Sequence, residues 1–267
     1  MSSNPIGIFD SGIGGLTVAH AVKETLPNES MIYFGDIAHL PYGDKSEAAI
    51  QAYSIKIANV LLNEGCKVIL IACNSASSSA YELLKEYVAS RAKVINVIDP
   101  MVEYVSKQYS SKKIGLIGTK RTVQSNVYAK KINDLGLDIH LESLATPLLV
   151  PMIEEGFIDN QISEQIITEY LGANELQDIE ALILGCTHYP LIKSQISTHY
   201  DQPVEIIDSS EIVAASLKAY LTQNDLLNKG KADKSKFLVS DYTYAFEAST
   251  KLFFGEELHL EKYPLWE

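Results

Sequence analysis

The fold of this chain is decided by two similar stretches, Val68-Ile69-Leu70-Ile71-Ala72-Cys73-Asn74-Ser75 and Ala181-Leu182-Ile183-Leu184-Gly185-Cys186-Thr187-His188. Each is an apolar run followed by a small residue, a cysteine and two polar residues. The apolar runs are typical of parallel strands that are buried on both faces. A repeat 113 residues apart in a 267-residue chain predicts one half of the fold per cysteine. Two thiols that face each other would form a two-sided acid/base site, for which racemisation is the clearest use.

A second repeat supports this duplication. Ile6-Gly7-Ile8-Phe9-Asp10-Ser11 resembles Ile114-Gly115-Leu116-Ile117-Gly118-Thr119, at a nearly equal offset of 108 residues. Helical periods alternate with the β-rich runs, which favours an α/β fold with mainly parallel sheets flanked by helices. The predicted strands are Ile6–Phe9, Ser30–Phe34, Lys67–Ala72, Val94–Ile98, Ile114–Ile117, Ile139–Leu144, Ala181–Leu184, Val204–Ile207 and Lys236–Val239.

The ends of three helices can be predicted from capping signals. Asp44 with Glu47 resembles a capping box for a helix that stops near Gly65. Asp99 precedes Pro100, which places an N-cap residue before proline at the first helical position. A further helix is expected to open at Thr119 or Lys120 and to end at Gly136.

The composition of the chain limits the classes of protein to which it can belong. The chain is 46% hydrophobic and 21% charged, and its three cysteines fit a reducing cytosol better than a disulfide framework. No apolar run approaches the roughly 20 residues of a membrane span, and residues 1–5 show no signal peptide, so we expect a cytoplasmic protein without a membrane segment. The net charge of −12 disfavours nucleic acid as a partner.

Polar residues collect where the predicted strands end, which is where parallel α/β sheets bind ligands. They are Asp10-Ser11, Asp36, Cys73-Asn74-Ser75, Thr119 and Cys186-Thr187-His188. Each lies at a turn into a helix, whose free N–H groups suit a carboxylate and are expected to lower the pKa of the thiols. Cys66 lies at the other end of its strand and is predicted to be a structural residue.

Acid/base partners for the two thiols are also present. His188, two residues after Cys186, is a candidate proton partner or a carboxylate contact. Asp10 would place a carboxylate near Cys73. Glu154 or Glu155, at the end of an apolar helix, is a candidate to point into the cleft.

A glycine cluster, Gly12-Ile13-Gly14-Gly15, follows the first strand, and Asp36 ends the next one. That spacing is similar to a dinucleotide-binding unit, but Thr17 holds the last glycine position of the G-x-G-x-x-G pattern. Asp10 would also place negative charge against a pyrophosphate. Nucleotide binding is therefore disfavoured.

Together these motifs resemble the glutamate racemases, a resemblance that runs from Pro5 to about Asp208. They are Gly7-Ile-Phe-Asp10-Ser11-Gly12-Ile-Gly14-Gly15, Tyr33-Phe-Gly35-Asp36, Pro41-Tyr42-Gly43, Ala72-Cys73-Asn74-Ser75-Ala76-Ser77, Gly118-Thr119 with Thr122-Val123, Val150-Pro151-Met152-Ile153-Glu154 and Gly185-Cys186-Thr187-His188-Tyr189-Pro190. One departure is visible, because Ser75 stands where the family usually has threonine. Binding should survive this change, since the hydroxyl donor is kept.

The resemblance implies two pseudo-symmetric α/β domains with the active site in the cleft between them. We expect domain borders near residues 97 and 209, with 1–97 and 210–267 in one domain and 98–209 in the other. The resemblance also implies a homodimer, no cofactor, no metal, and D-glutamate production for peptidoglycan in cell wall biogenesis and cell shape.

The resemblance assigns residue roles as well. It makes Cys73 and Cys186 the catalytic acid/base pair, Cys73 acting on D-glutamate and Cys186 on L-glutamate. Asp10 would assist at Cys73, and Glu154 and His188 at Cys186. The implied substrate-binding residues are Asp10, Ser11, Tyr42, Gly43, Asn74, Ser75, Thr119, Thr187 and His188.

The sequence leaves several other functions open. Aspartate racemase is the nearest rival, and the related hydantoin racemases and one-cysteine decarboxylases are more distant, since this chain has two matched cysteines. A zinc-dependent hydrolase or structural zinc site could use Cys73, Cys186 and His188. A non-catalytic module that binds an amino acid or dicarboxylate is a further class.

Overall fold

A computed structural model describes residues 2–267 of the chain. Its strands are β1 (Ile6–Asp10), β2 (Met31–Gly35), β3 (Val68–Ile71), β4 (Lys93–Asn96), β5 (Lys113–Gly118), β6 (His140–Ala145), β7 (Ala181–Gly185), β8 (Glu205–Asp208), β9 (Lys236–Val239) and β10 (Glu261–Lys262). Its α-helices are α1 (Leu16–Thr25), α2 (Glu47–Asn63), α3 (Asn74–Val88), α4 (Ile98–Gln108), α5 (Lys120–Gln124), α6 (Val127–Asp134), α7 (Leu149–Glu154), α8 (Gln161–Leu171), α9 (Lys193–His199), α10 (Ser209–Gln223) and α11 (Tyr244–Phe254).

The strands form two separate sheets, and every strand pair in them is parallel. The larger sheet has the order β10-β9-β2-β1-β3-β4, and the smaller has the order β6-β5-β7-β8. The predicted α/β class with parallel sheets is confirmed, and all nine predicted strands are present. The tenth strand, β10, was not predicted, because two exposed residues carry no periodic signal.

The two sequence repeats pair with each other inside each sheet. β1 lies beside β3, with Phe9 opposite Ile71, and β5 lies beside β7, with Gly118 opposite Gly185. The residues that follow β1 and β3 therefore lie side by side at one sheet edge, and so do those that follow β5 and β7. Burial explains the composition of these strands, since β1, β2, β3 and β7 are buried along their whole length.

Two predicted helix starts are wrong in detail. The cap of α2 is Ser46, whose hydroxyl accepts from Ala49 N, and Asp44 lies outside the helix. The helix that contains Pro100 begins at Ile98 because the Asn96 side chain accepts from the backbone N–H groups of Ile98 and Asp99.

The single helix predicted from residue 119 to residue 136 is two helices, α5 and α6. They are separated by Asn126, whose φ of +56° lies in the left-handed region. Asparagine adopts this conformation more readily than most residues, so the break is local in origin.

Contacts between the two halves place the carboxyl ends of both sheets against one cleft. Thr17, in α1, donates a hydrogen bond from Oγ1 to the backbone oxygen of Thr187 at 3.0 Å. Helix α10 packs against both α1 and α4. In the part of the chain that the structure describes, no helix is long and apolar enough to cross a membrane.

Candidate active site

The cleft is bordered by the residues that follow β1, β3, β5 and β7, by the loop after β2 and by α7. Its lining comprises Ser11, Gly12, Leu40, Pro41, Tyr42, Gly43, Cys73, Asn74, Ser75, Thr119, Val150, Glu154, Gly185, Cys186, Thr187 and His188. Both cysteines and every predicted substrate-binding residue except Asp10 are therefore brought together. The cleft is narrow, with a cavity volume of about 30 Å³.

Cys73 stands between β3 and α3 and is buried. Its Sγ accepts from the backbone N–H of Ala76 at 3.4 Å and lies 3.8 Å from Ser11 Oγ. Burial, with Asp10 nearby, raises the pKa of the thiol to about 12, although the Ala76 N–H acts in the opposite direction. The N–H at the helix start thus acts on this pKa in the expected direction, but desolvation of the thiolate outweighs that one hydrogen bond.

Asp10 lies behind the cleft wall, at the end of β1, and is fully buried. Its carboxylate accepts from Gly12 N at 3.0 Å and from Thr187 Oγ1 at 3.5 Å. Burial raises the pKa of Asp10, while the charge of His188 and the backbone N–H groups of the Gly12 turn act to lower it. Asp10 thus places a buried acidic group close to Cys73 and bridges to the other half of the molecule through Thr187.

Cys186 forms a chain of polar contacts with His188 and Glu154. The Sγ atom lies 3.8 Å from His188 Nδ1, and His188 Nε2 lies 3.0 Å from Glu154 Oε1. Burial alone would lower the pKa of His188, but Cys186 and Glu154 outweigh it and raise that pKa to about 10. The imidazole therefore lies between a sulfur atom and a carboxylate that both favour its protonated form. Glu154 and Glu155 are both exposed at the end of α7, and Glu154 is the one that contacts His188.

Asn74 begins α3 with its side chain buried in the cleft wall. Its Oδ1 accepts from Tyr128 OH at 2.8 Å, which fixes the orientation of the amide. Its Nδ2 has no hydrogen-bond partner among residues 2–267. A buried N–H group without a partner is costly, so this atom is well suited to donate to a ligand oxygen.

Three hydroxyl groups form a cluster on the same wall. Ser75 Oγ lies 2.8 Å from Thr119 Oγ1 and 3.4 Å from Thr122 Oγ1. Thr119 and Thr122 come from the other half of the molecule, where Thr119 caps α5. The cluster therefore joins the two halves beside the cleft.

The loop after β2 supplies the remaining wall through Tyr42 and Gly43. Tyr42 is buried, and its hydroxyl donates to Asp36 Oδ2 at 2.7 Å. A Cβ atom on Gly43 would lie 2.8 Å from Thr119 Cβ, so only glycine allows this loop to approach α5 so closely.

The first glycine cluster serves close packing. A Cβ on Gly14 would lie 2.4 Å from His188 Nδ1, and a Cβ on Gly15 would lie 2.5 Å from Asp10 Cβ. These glycines let α1 approach the active-site residues of both halves, which accounts for the motif without a phosphate.

Some residues that line the cleft or support its wall were not predicted. Tyr128 and Leu40 have no local pattern that marks them, whereas Thr122 and Val150 lie inside quoted motifs without an assigned role. Over residues 2–267, no three His, Cys, Asp or Glu side chains are grouped so that they could hold one metal ion, so the geometry does not favour the zinc alternative.

Comparison with known proteins agrees with this arrangement. The family model described as Asp/Glu/Hydantoin racemase matches residues 16–217. A glutamate racemase of Chlorobaculum parvum is 41% identical, over 96% of this chain and 94% of that protein. The crystal structure of glutamate racemase from Francisella tularensis in complex with D-glutamate is 40% identical, with a TM-score of 0.93 over 100% of this chain and 99% of that one. This chain therefore belongs to the Asp/Glu/Hydantoin racemase family.

Proposed function

We propose that this chain is a glutamate racemase that interconverts L- and D-glutamate without a cofactor. The observation that carries the proposal is the pair of thiols at equivalent positions of the two halves. Each follows the strand that pairs with β1 or β5, and each borders the same closed cleft. Inversion at Cα needs one proton removed from one face and another delivered to the opposite face, and two thiols can do both.

In the proposed step, one thiolate removes a proton and one thiol delivers a proton. A thiolate takes the Cα proton, so that the electron pair of the C–H bond passes to a carbanion whose charge is shared with the α-carboxylate. The opposite thiol gives its proton to the other face and becomes the thiolate. We assign Cys73 to D-glutamate and Cys186 to L-glutamate, and the reverse reaction exchanges their roles.

The side chains around each thiol fit these roles. His188 Nδ1 lies 3.8 Å from Cys186 Sγ, so the imidazole is placed to be the proton partner of Cys186. Burial and the nearby Asp10 raise the pKa of Cys73 to about 12, which favours the thiol form at neutral pH. The substrate ammonium is bonded to the carbon that Cys73 must reach, and its positive charge favours the thiolate once substrate is bound.

Binding of an acidic amino acid is supported by neutral donors. Among the lining residues, the charged groups are Glu154 and His188, which pair with each other. The substrate carboxylates would therefore be held by Asn74 Nδ2, the hydroxyls of Ser11, Ser75, Thr119 and Thr187, and free N–H groups at the start of α3. Tyr42 and Gly43 would close the cavity around the substrate.

Further proposals concern the domain borders, the oligomeric state and the cellular role of the enzyme. We place the domain borders near residues 97 and 209, since the larger sheet uses strands within 6–96 and 236–262 and the smaller uses strands within 113–208. We also propose a cytoplasmic homodimer that supplies D-glutamate for peptidoglycan. Sedimentation equilibrium tests the dimer, and rescue of a D-glutamate-requiring bacterial strain tests the supply.

The reaction itself is tested with purified, metal-free protein in D2O. L-Glutamate and L-aspartate are incubated separately, proton NMR follows loss of the α-hydrogen, and a chiral assay follows inversion. Exchange with inversion for glutamate alone supports the proposal. Exchange for aspartate alone would identify an aspartate racemase, and no exchange for either would favour a binding module.

A further inference from the structure

The end of the chain lies against the loop that forms one wall of the cleft. Strand β10 pairs with β9, with Lys262 opposite Val239, and Tyr263 N donates to Val239 O at 2.8 Å. Residues 263–267 therefore continue past the carboxyl end of β9, the neighbour of β2. There the indole Nε1–H of Trp266 donates to Asp36 Oδ1 at 2.8 Å.

Asp36 is a fully buried carboxylate that four side chains contact, two of them from its own loop. Trp266 Nε1 and Ser240 Oγ both donate to Oδ1, at 2.8 and 2.7 Å. Tyr42 OH donates to Oδ2 at 2.7 Å, and His39 Nδ1 lies 3.1 Å from the same oxygen. No lysine or arginine within residues 2–267 forms a salt bridge with Asp36, so its orientation depends on these four groups.

One of these four side chains, Tyr42, also lines the cleft. Tyr42 is buried, lines the cavity and makes its side-chain hydrogen bond to Asp36. Burial, together with the charge of Asp36, holds the pKa of Tyr42 well above its usual value. The phenol therefore stays a donor, and Asp36 determines where its ring lies.

The indole is itself fixed in a cage of side chains. His39 contacts its edge with a centroid distance of 4.4 Å, Tyr53 with 5.3 Å, and Lys56 Nζ lies 4.7 Å from the ring centroid. His39 also stacks on Tyr53 at 4.1 Å. The cage aligns the indole N–H with one oxygen of Asp36, and so with one orientation of the carboxylate.

We propose that Trp266 is a positioning residue for substrate binding. By holding Oδ1 of Asp36, it keeps Oδ2 turned toward Tyr42 and so keeps residues 36–44 in the conformation that closes the cleft. The kinetic part of this inference rests on the proposed function. The structural part, that the chain end orders residues 36–44, does not depend on it.

The test compares three variants of the full-length protein. Trp266→Phe keeps an aromatic ring in the cage and removes the N–H donor, while Trp266→Ala removes both. Leu265→Ala is the matched control, because Leu265 lies in the same segment and packs on the buried cluster. Among residues 2–267, its only hydrogen bond is made by its backbone N–H. Racemisation kinetics, thermal unfolding and amide hydrogen exchange of residues 36–44 are measured for each.

We expect Trp266→Phe to raise KM for both enantiomers about three- to tenfold, since one hydrogen bond to a charged group is lost, with kcat and Tm nearly unchanged. Residues 36–44 should exchange faster in both Trp266 variants, and Leu265→Ala should lower Tm without changing KM.

Either of two results would overturn the inference: a wild-type KM in Trp266→Phe, or equal changes of KM and Tm in Trp266→Phe and Leu265→Ala. If the wild-type protein does not racemise glutamate, the proposed function fails, and hydrogen exchange alone decides whether Trp266 orders the loop. Unchanged exchange in Trp266→Phe would then refute that ordering.

Discussion

His188 joins the Cys186 thiol to a carboxylate: its Nδ1 lies 3.8 Å from Cys186 Sγ, and its Nε2 lies 3.0 Å from Glu154 Oε1. The carboxylate orients the ring and stabilises its cationic form. Glu154 therefore acts on the thiol through the imidazole, as a positioning residue.

A change of Glu154 to glutamine removes the charge that helps to raise the pKa of His188 to about 10. The folded-state pKa should fall, so the imidazolium should be lost at lower pH. We expect the alkaline limb of the kcat/KM profile to move down by about one pH unit. The control is Glu155→Gln, an exposed neighbour, and an identical shift in both variants would contradict this role.

The three cysteines should differ sharply in function. Cys73→Ala and Cys186→Ala each remove one of the two acid/base groups, so turnover in both directions should fall by about 10³-fold or more. Cys66 is the matched control, since it is a buried thiol whose pKa burial raises to about 12 and it lies outside the cleft. Cys66→Ala should keep wild-type kinetics in the chiral assay. Substantial turnover in Cys73→Ala would exclude the two-thiol scheme.

Gly14 allows α1 to approach His188, because a Cβ at this position would lie 2.4 Å from the imidazole. Gly14→Ala should displace His188 or hold the cleft open, so kcat/KM should fall by about 10²-fold. Gly230→Ala is the control, since a Cβ at that position would lie 3.4 Å from its nearest neighbour, Asn228 Oδ1. Steady-state kinetics check the prediction, and equal activity of the two variants would contradict it.

The buried pair between Lys67 and Glu29 is expected to matter for stability. Lys67 Nζ lies 2.6 Å from Glu29 Oε2, and both side chains are almost fully buried. Lys67→Met leaves Glu29 buried without its cation, so the free energy of unfolding should fall by roughly 3–5 kcal/mol. The exposed pair of Lys107 with Glu103 serves as the control, and Lys107→Met should change that free energy by less than about 1 kcal/mol. Urea unfolding measures both, and a similar loss in the two variants would refute the difference.

Local sequence signals predict the strands and the outline of the site well. Apolar runs and capping residues act over a few neighbours, so the nine strands and the polar residues after them can be read directly. Helix ends are harder to predict, because competing local hydrogen bonds determine where a helix begins. At the start of α4, the Asn96 side chain makes such hydrogen bonds. The left-handed Asn126 divides α5 from α6 for a similar local reason.

The sequence by itself therefore determined the α/β class, the duplicated strand-and-cysteine unit and the identity of the two thiols. Only the tertiary structure decided that Glu154 contacts His188, that Tyr128 orients Asn74, and that Trp266 reaches Asp36. These pairs are separated by 34, 54 and 230 residues. The raised pKa of Cys73 is likewise a tertiary effect, since burial and the approach of Asp10 outweigh the local hydrogen bond from Ala76. Contacts and desolvation of this kind arise when the sheets and helices pack together, and no local pattern encodes them.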